Sequence, residues 1–143
     1  MQDPLALALR FLPHGPEFRF LDRVMELEPG VCGTGEYTVR GDEPFLRGHF
    51  PGEPMMPGVL LIEAMAQLAG TVAQSDPARQ PLANLRLTAL RVVKIFGTAV
   101  PGEKLEIKAS VTGRLGNLVQ ARGAVVVGTK IVAEAELTLS GEA

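Results

Sequence analysis

The hydrophobic and polar positions of this chain fall into two textures. Up to residue 81, apolar runs are cut repeatedly by proline and glycine; beyond it, β-branched and alternating segments follow one another through short glycine turns. FRFLDRVMELE (18–28) and VCGTGEYTV (31–39), on either side of Pro29-Gly30, predict two strands around a turn. Ahead of them, Asp3 as N-cap and Pro4 at the first helical position predict a short helix over LALALRFL that ends before Pro13, although the Leu-Ala alternation would also suit a strand. Gly41 to Met56 is dense in Gly and Pro and predicts an ordered, irregular loop. Residues 57–75 have the length of about five helical turns. Pro57 suits the first turn, and Pro77 forbids continuation. LRLTALRVVKIF (85–96), EKLEIKASVTG (103–113), LVQARGAVVVG (118–128) and KIVAEAELTLS (130–140) predict four more strands, with Gly116-Asn117 and Gly128-Thr129 as hairpin turns. The second half therefore reads as an antiparallel meander.

Together these elements give an α+β layout: a strongly curved antiparallel sheet of five to seven strands, with one long helix between the early and late strands in sequence. The helix is apolar nearly all round, so it demands enclosure instead of a place on the surface. A curved sheet wrapped around one helix is the hotdog arrangement. No linker, repeat or low-complexity tract divides the chain. Its 143 residues suffice for one core and not two, so residues 1–143 are expected to form a single domain.

Composition then narrows the function. With 46% hydrophobic and 21% charged residues the chain is neither disordered nor fibrous. A net charge of -2, no Trp and one Tyr supply neither the basic stripe nor the stacking rings of a nucleic-acid binder. Cys32 stands alone, which rules out an internal disulfide and leaves too few thiolates for a zinc or iron–sulfur site; a reducing cytoplasm fits. The N-terminal apolar run is preceded by Asp3 and Pro4 instead of Lys or Arg and is interrupted by Arg10 and Pro13, so it reads as neither a signal peptide nor a membrane span. No other stretch approaches the roughly 20 uncharged residues needed to cross a bilayer. The expectation is a soluble protein without membrane insertion.

On the predicted helix the main polar side chains, Glu63, Gln67, Thr71 and Gln74, lie at spacings of four, four and three and so share one narrow face. That face could simply meet solvent. Two features favour chemistry: no Lys or Arg occurs from Gly48 to Ala78, and Glu63 sits in the second turn, near the positive end of the helix dipole. At the helix start Gly58 offers an N–H that a ligand can approach closely, a donor suited to a carbonyl oxygen that gains negative charge. Alternatively, Gly58 is only a tight-packing residue. His49 precedes the helix within Gly48-His49-Phe50-Pro51-Gly52, a stiff segment that can hold an imidazole in one orientation. A lone loop histidine is ordinarily structural or exposed, but imidazole is also the usual carrier of a proton near neutral pH. A His, a carboxylate and a backbone donor, without metal or nucleophilic Ser or Cys, are what elimination of water from a 3-hydroxyacyl thioester requires. A base removes the C2 proton, an acid protonates the leaving C3 hydroxyl, and the donor stabilises charge on the thioester oxygen. The reaction calls for no cofactor.

LPH (12–14), FLDRVMELEPG (20–30), GHFPGEPMMPGVLLIEAMAQ (48–67) and VPGEKLEI (100–107) resemble the bacterial 3-hydroxyacyl-acyl-carrier-protein dehydratases of type II fatty acid synthesis, over nearly the whole chain. By that resemblance His49 is the catalytic histidine, Glu63 the catalytic carboxylate and Gly58 the backbone donor. It further implies a hotdog homodimer in which His49 of one subunit and Glu63 of the other complete each site, commonly assembled into a trimer of dimers. Gln67 would then orient the carboxylate or a water. A sister branch that also isomerises its product carries Asp in place of Glu63, so Glu favours the branch that only dehydrates. Phe50, Met55, Met56 and Ile62 are candidates to line an acyl tunnel, or are plain core. The acidic carrier protein calls for a basic rim. GPEF (15–18) and KIFGTA (94–99) stand where relatives usually carry basic residues, which leaves Arg10, Arg19, Arg47, Arg91 and Lys94 for that rim. The role of His14 stays open, with a structural one in its loop the first expectation. Two rival readings share the fold: a thioesterase, which has no clear need for His49, and a non-catalytic acyl-thioester-binding module in which the His-Glu pair is structural.

Overall fold

The computed structural model describes residues 4–143; Asp3, the expected N-cap, lies outside them. In chain order there follow helix α1 (Pro4–Ala8), strand β1 (Arg23–Glu28), β2 (Cys32–Thr38), helix α2 (Gly58–Gln74), β3 (Ala83–Ile95), β4 (Lys104–Leu115), β5 (Leu118–Val127) and β6 (Lys130–Glu142). Short 3-10 turns occupy Leu9–Phe11, Pro16–Phe18 and Pro44–Arg47. The six strands form one antiparallel sheet in the order β1-β2-β4-β5-β6-β3. The helix α2 packs on β2, β3, β4, β5 and β6, so the sheet encloses it as its all-round apolarity demands. Leu61, Met65, Leu68 and Val72 of α2 are sealed from solvent against Leu105, Ile107, Val119 and Leu139 of the sheet. Close approach depends on Gly123 in β5: a Cβ there would meet the Met65 Cβ at 2.8 Å.

Two details depart from the sequence reading. The strand expected over 18–28 begins only at Arg23. Phe20 and Leu21 are consecutive and both buried, which a strand with one face on the core does not allow, and Gln67 holds this stretch by the Phe18 carbonyl and the Phe20 N–H instead of a neighbouring strand. The meander comprises β4, β5 and β6 alone. The strand β3 pairs with β6 at the sheet edge, while β4 pairs with β2. The connection from Phe96 to Glu103 carries Pro101 and is no two-residue hairpin, so nothing obliges β3 to lie beside β4. The register of β3 on β6 shifts three times, with Val92 at φ 50°. Such irregularities are typical of edge strands.

Candidate active site

Two arms of chain bring chemistry-bearing residues to the start of α2. The first is the loop expected to be irregular. It is anchored at its base by Glu43, a buried carboxylate that accepts hydrogen bonds from the Tyr37 hydroxyl (2.6 Å) and from the N–H groups of Arg40 and Gly41. Burial alone would raise the Glu43 pKa, but these donors hold it below the usual carboxylate range. At the loop's far end Phe50 and Glu53 exchange backbone hydrogen bonds around Gly52, whose φ of +82° suits glycine. Met56 closes the loop through its N–H to the Ala99 carbonyl.

His49 is held twice within this loop. Its backbone carbonyl accepts the Met55 N–H at 2.9 Å, and its Nδ1 lies 3.1 Å from the Met55 carbonyl oxygen. A carbonyl only accepts, so Nδ1 carries the proton and the Nε2 lone pair is left available as a base. The ring stacks on Phe50, with centroids 4.2 Å apart. Gly58 opens α2 behind Pro57. The N–H groups of Gly58 and Val59 find no acceptor among the described residues, so the positive end of the helix is open to a ligand. The packing reading of Gly58 also has support: a Cβ at that position would meet the Ile95 Cδ1 at 2.6 Å.

Glu63 lies on the second turn of α2, in a cleft walled by Phe11, Leu12 and His14 on one side and by Leu85, Arg86 and Leu139 on the other. Burial lifts the Glu63 pKa above the ordinary carboxylate value, against the opposing pull of His14, whose Nε2 lies 3.4 Å from Oε1, and of a hydrogen bond from Gln67. Gln67 is itself buried, with Oε1 accepting the Phe20 N–H (2.7 Å) and Nε2 donating to the Phe18 carbonyl (2.9 Å). The remaining Nε2 hydrogen is the one left for Glu63. Beyond the half-buried Glu63 the polar stripe therefore does not meet solvent. Below Glu63 it is structural: the Thr71 hydroxyl donates to the Gln67 carbonyl, and Gln74 clamps both backbone groups of Leu82.

Within one chain the structure brings Glu63 and Gln67 together and leaves His49 out of that cleft's walls. Met56 and Ile62 are core residues, Met55 is half-buried, and Phe50 is 52% exposed; none of the four lines the cleft. Two cleft residues escaped the sequence reading. His14 faces Glu63 from the LPH segment, and only its place in that block marks it. Arg86 carries no signal, because three consecutive residues, Leu85, Arg86 and Leu87, line the cleft where regular alternation would present every second one. The register shifts on either side of them account for this.

Comparison with known proteins places the chain in a family. The model of the FabA-like domain family matches residues 12–136. The chain is 38% identical over 130 residues to the 3-hydroxyacyl-[acyl-carrier-protein] dehydratase FabZ of Anaeromyxobacter sp. (strain Fw109-5), covering 89% of this chain and 82% of that one. It is 37% identical over 128 residues to the FabZ of Caldanaerobacter subterraneus subsp. tengcongensis, covering 90% of each. Among solved structures, the dehydratase heterocomplex ApeI:P from Xenorhabdus doucetiae superposes with a TM-score of 0.80 at 19% identity, over 95% of this chain and 91% of that one. Zebra fish thioesterase superfamily member 2 superposes with a TM-score of 0.70 at 16% identity, over 94% of each. These last two likenesses establish the hotdog fold alone, whereas the family model and the close relatives establish descent: the chain belongs to the FabA-like family, with the FabZ-type 3-hydroxyacyl-[acyl-carrier-protein] dehydratases.

Proposed function

We propose that this protein is a 3-hydroxyacyl-acyl-carrier-protein dehydratase of fatty acid synthesis, a single hotdog domain over residues 1–143 working in the cytoplasm. The observation that carries the reading is the setting of Glu63: a carboxyl whose pKa burial lifts above the ordinary carboxylate value, in a cleft of a chain related to FabZ dehydratases. An acid with a raised pKa is what protonation of a leaving hydroxyl needs. Nε2 of His49 takes the C2 proton, and the C2–H electrons form the C2–C3 double bond. The C3–O bond breaks, and the hydroxyl leaves as water with the Glu63 proton. The Gly58 N–H, at the helix N-terminus, stabilises charge on the thioester oxygen as it develops. Nothing in this sequence of steps draws on a cofactor.

His49 does not line the Glu63 cleft of its own chain, so in this reading the two act on one ligand where two chains combine, and several features support a homodimer with shared sites. The Glu63 cleft of one chain holds about 60 Å³, well under the roughly 300–1,000 Å³ of ordinary ligand pockets. The strand β3 presents a free sheet edge on which Leu90, Val92, Val93 and Ile95 are exposed together with the adjoining Phe96. An apolar edge of this length calls for a partner. We extend the resemblance to a trimer of dimers, to Phe50 and Met55 as lining of the acyl path once a second chain is present, and to an acyl carrier protein as donor of the substrate. Arg10, Arg47, Arg91 and Lys94 remain solvent-facing for that acidic partner, and Arg86 adds a cation at the cleft; Arg19 is committed to the His14 carbonyl.

The deciding experiment follows absorbance of crotonyl and longer 2-enoyl thioesters in the presence of the protein. Reversible hydration is expected, with His49→Ala and Glu63→Gln each lowering turnover by about 10²- to 10⁴-fold while folding is kept. Release of free thiol from 3-hydroxyacyl thioester without an enoyl product would replace the dehydratase reading with the thioesterase one.

A further inference from the structure

His14 has no place in the reaction as written, yet its Nε2 lies 3.4 Å from the carboxylate. We infer that His14 is the positioning residue of the acid: as a neutral imidazole it donates Nε2–H to Oε1 of Glu63 and so leaves Oε2 as the oxygen that carries the transferable proton. This rests on Glu63 being the acid, as proposed above.

The geometry fixes both the ring and its tautomer. Leu12 and Pro13 lead His14 into the cleft, the Arg19 guanidinium holds its carbonyl at 3.1 Å, and the ring stacks on Phe18 with centroids 5.9 Å apart. Phe18 is tied in turn to Gln67, one turn beyond Glu63, so the imidazole and the carboxylate hang from the same buried amide. Nε2 lies 3.4 Å from Oε1. That is long for a hydrogen bond, as contacts in unliganded sites often are before they tighten on substrate. Nδ1 is buried with no partner among the described residues. A proton placed there would be a buried donor without an acceptor, so the neutral ring carries its single proton on Nε2, directed at Glu63.

The groups that face Glu63 are then His14 from the N-terminal arm, Gln67 from its own helix and the Arg86 cation lining the cleft from β3. Of these, His14 and Gln67 favour the ionised carboxylate, and burial opposes them. Removing the His14 donor therefore raises the pKa of Glu63 further and also frees the carboxyl to turn. The two effects separate in kinetics: the first moves the alkaline limb of the rate profile, and the second lowers kcat without loosening substrate binding.

The test uses the full chain with 3-hydroxyacyl thioesters of a pantetheine fragment, recording pH profiles for the natural protein, His14→Phe, His14→Gln and Glu63→Gln. His14→Phe keeps the ring stack and loses the donor. Its kcat is expected to fall about 10- to 100-fold with KM little changed, and its alkaline limb to move to higher pH. His14→Gln restores an N–H donor and is expected to recover part of both. An unmoved limb in His14→Phe, or a His14→Gln no better than His14→Phe, would overturn the inference. Nitrogen NMR of the natural protein decides independently of any variant: a neutral ring protonated at Nε2 supports it, and a proton on Nδ1 or a charged ring at working pH overturns it. If Glu63→Gln itself kept full turnover, the fault would lie in the dehydratase assignment; an inactive Glu63→Gln beside an unperturbed His14→Phe would sink only the role of His14.

Discussion

In its proposed role Glu63 answers opposite demands from folding and from chemistry. Its carboxyl is raised because burial penalises the ionised form, so the folded chain holds this proton at pH values where the unfolded chain has released it. Stability is therefore undiminished below the ordinary glutamate range and declines as pH rises through the window between the unfolded and folded pKa values. Glu63→Gln removes that penalty while keeping an oxygen for His14. Thermal unfolding is expected to show the variant equal to the natural protein in acid and more stable by a few degrees at neutral pH, about 1 kcal/mol for a domain of this size. A variant less stable than the natural protein at every pH would show that the Glu63 contacts outweigh its desolvation. Glu43, by contrast, keeps its charge among four donors or cations, the Tyr37 hydroxyl, two N–H groups and the nearby Arg40, and supports the fold at neutral pH. A half-buried and a buried glutamate in one molecule are driven in opposite directions by their hydrogen-bond supply.

At the scale of elements, the central helix was legible because a proline before it and another beyond it bracket an apolar run of the right length. Gly58–Gln74 lies within the expected 57–75, with Pro57 just outside as the capping residue. The hairpins at Gly116-Asn117 and Gly128-Thr129 were legible from turn chemistry. The place of β3 was not: periodicity reports which face of a strand is apolar and nothing about which neighbour it takes. Its exposed apolar residues look like misplaced core until the free edge is seen. Replacing Leu90 and Val93 together by Glu is expected to leave the thermal transition of the chain in place, to reduce its sedimentation to that of a single chain, and to lower turnover by about 100-fold or more. Retained assembly in that variant would assign the edge another purpose.

Across the whole molecule, His49, Glu63 and Gly58 could be singled out from residue type and position alone. The proposed completion of the site by a second chain could not, because pattern along one chain carries no information about another. His14 shows the same limit within one chain: its partner lies far along the sequence, and only the folded arm brings the two together. Mixing His49→Ala with Glu63→Gln, each inactive by itself, is expected to restore up to about half of the sites in mixed dimers by simple pairing statistics. Proven subunit exchange with no recovery would place both residues in one chain's site.

The hydrogen bond from Met56 to Ala99 ties the histidine loop to the segment that leaves the free sheet edge. If two such edges pair as proposed, pairing would seat the base as it brings the acid within range, and a newly made or diluted solitary chain would be silent toward activated acyl groups. Specific activity would fall with dilution below the dimer dissociation constant, and synthesis of the first copies would do no chemistry until a mate arrives.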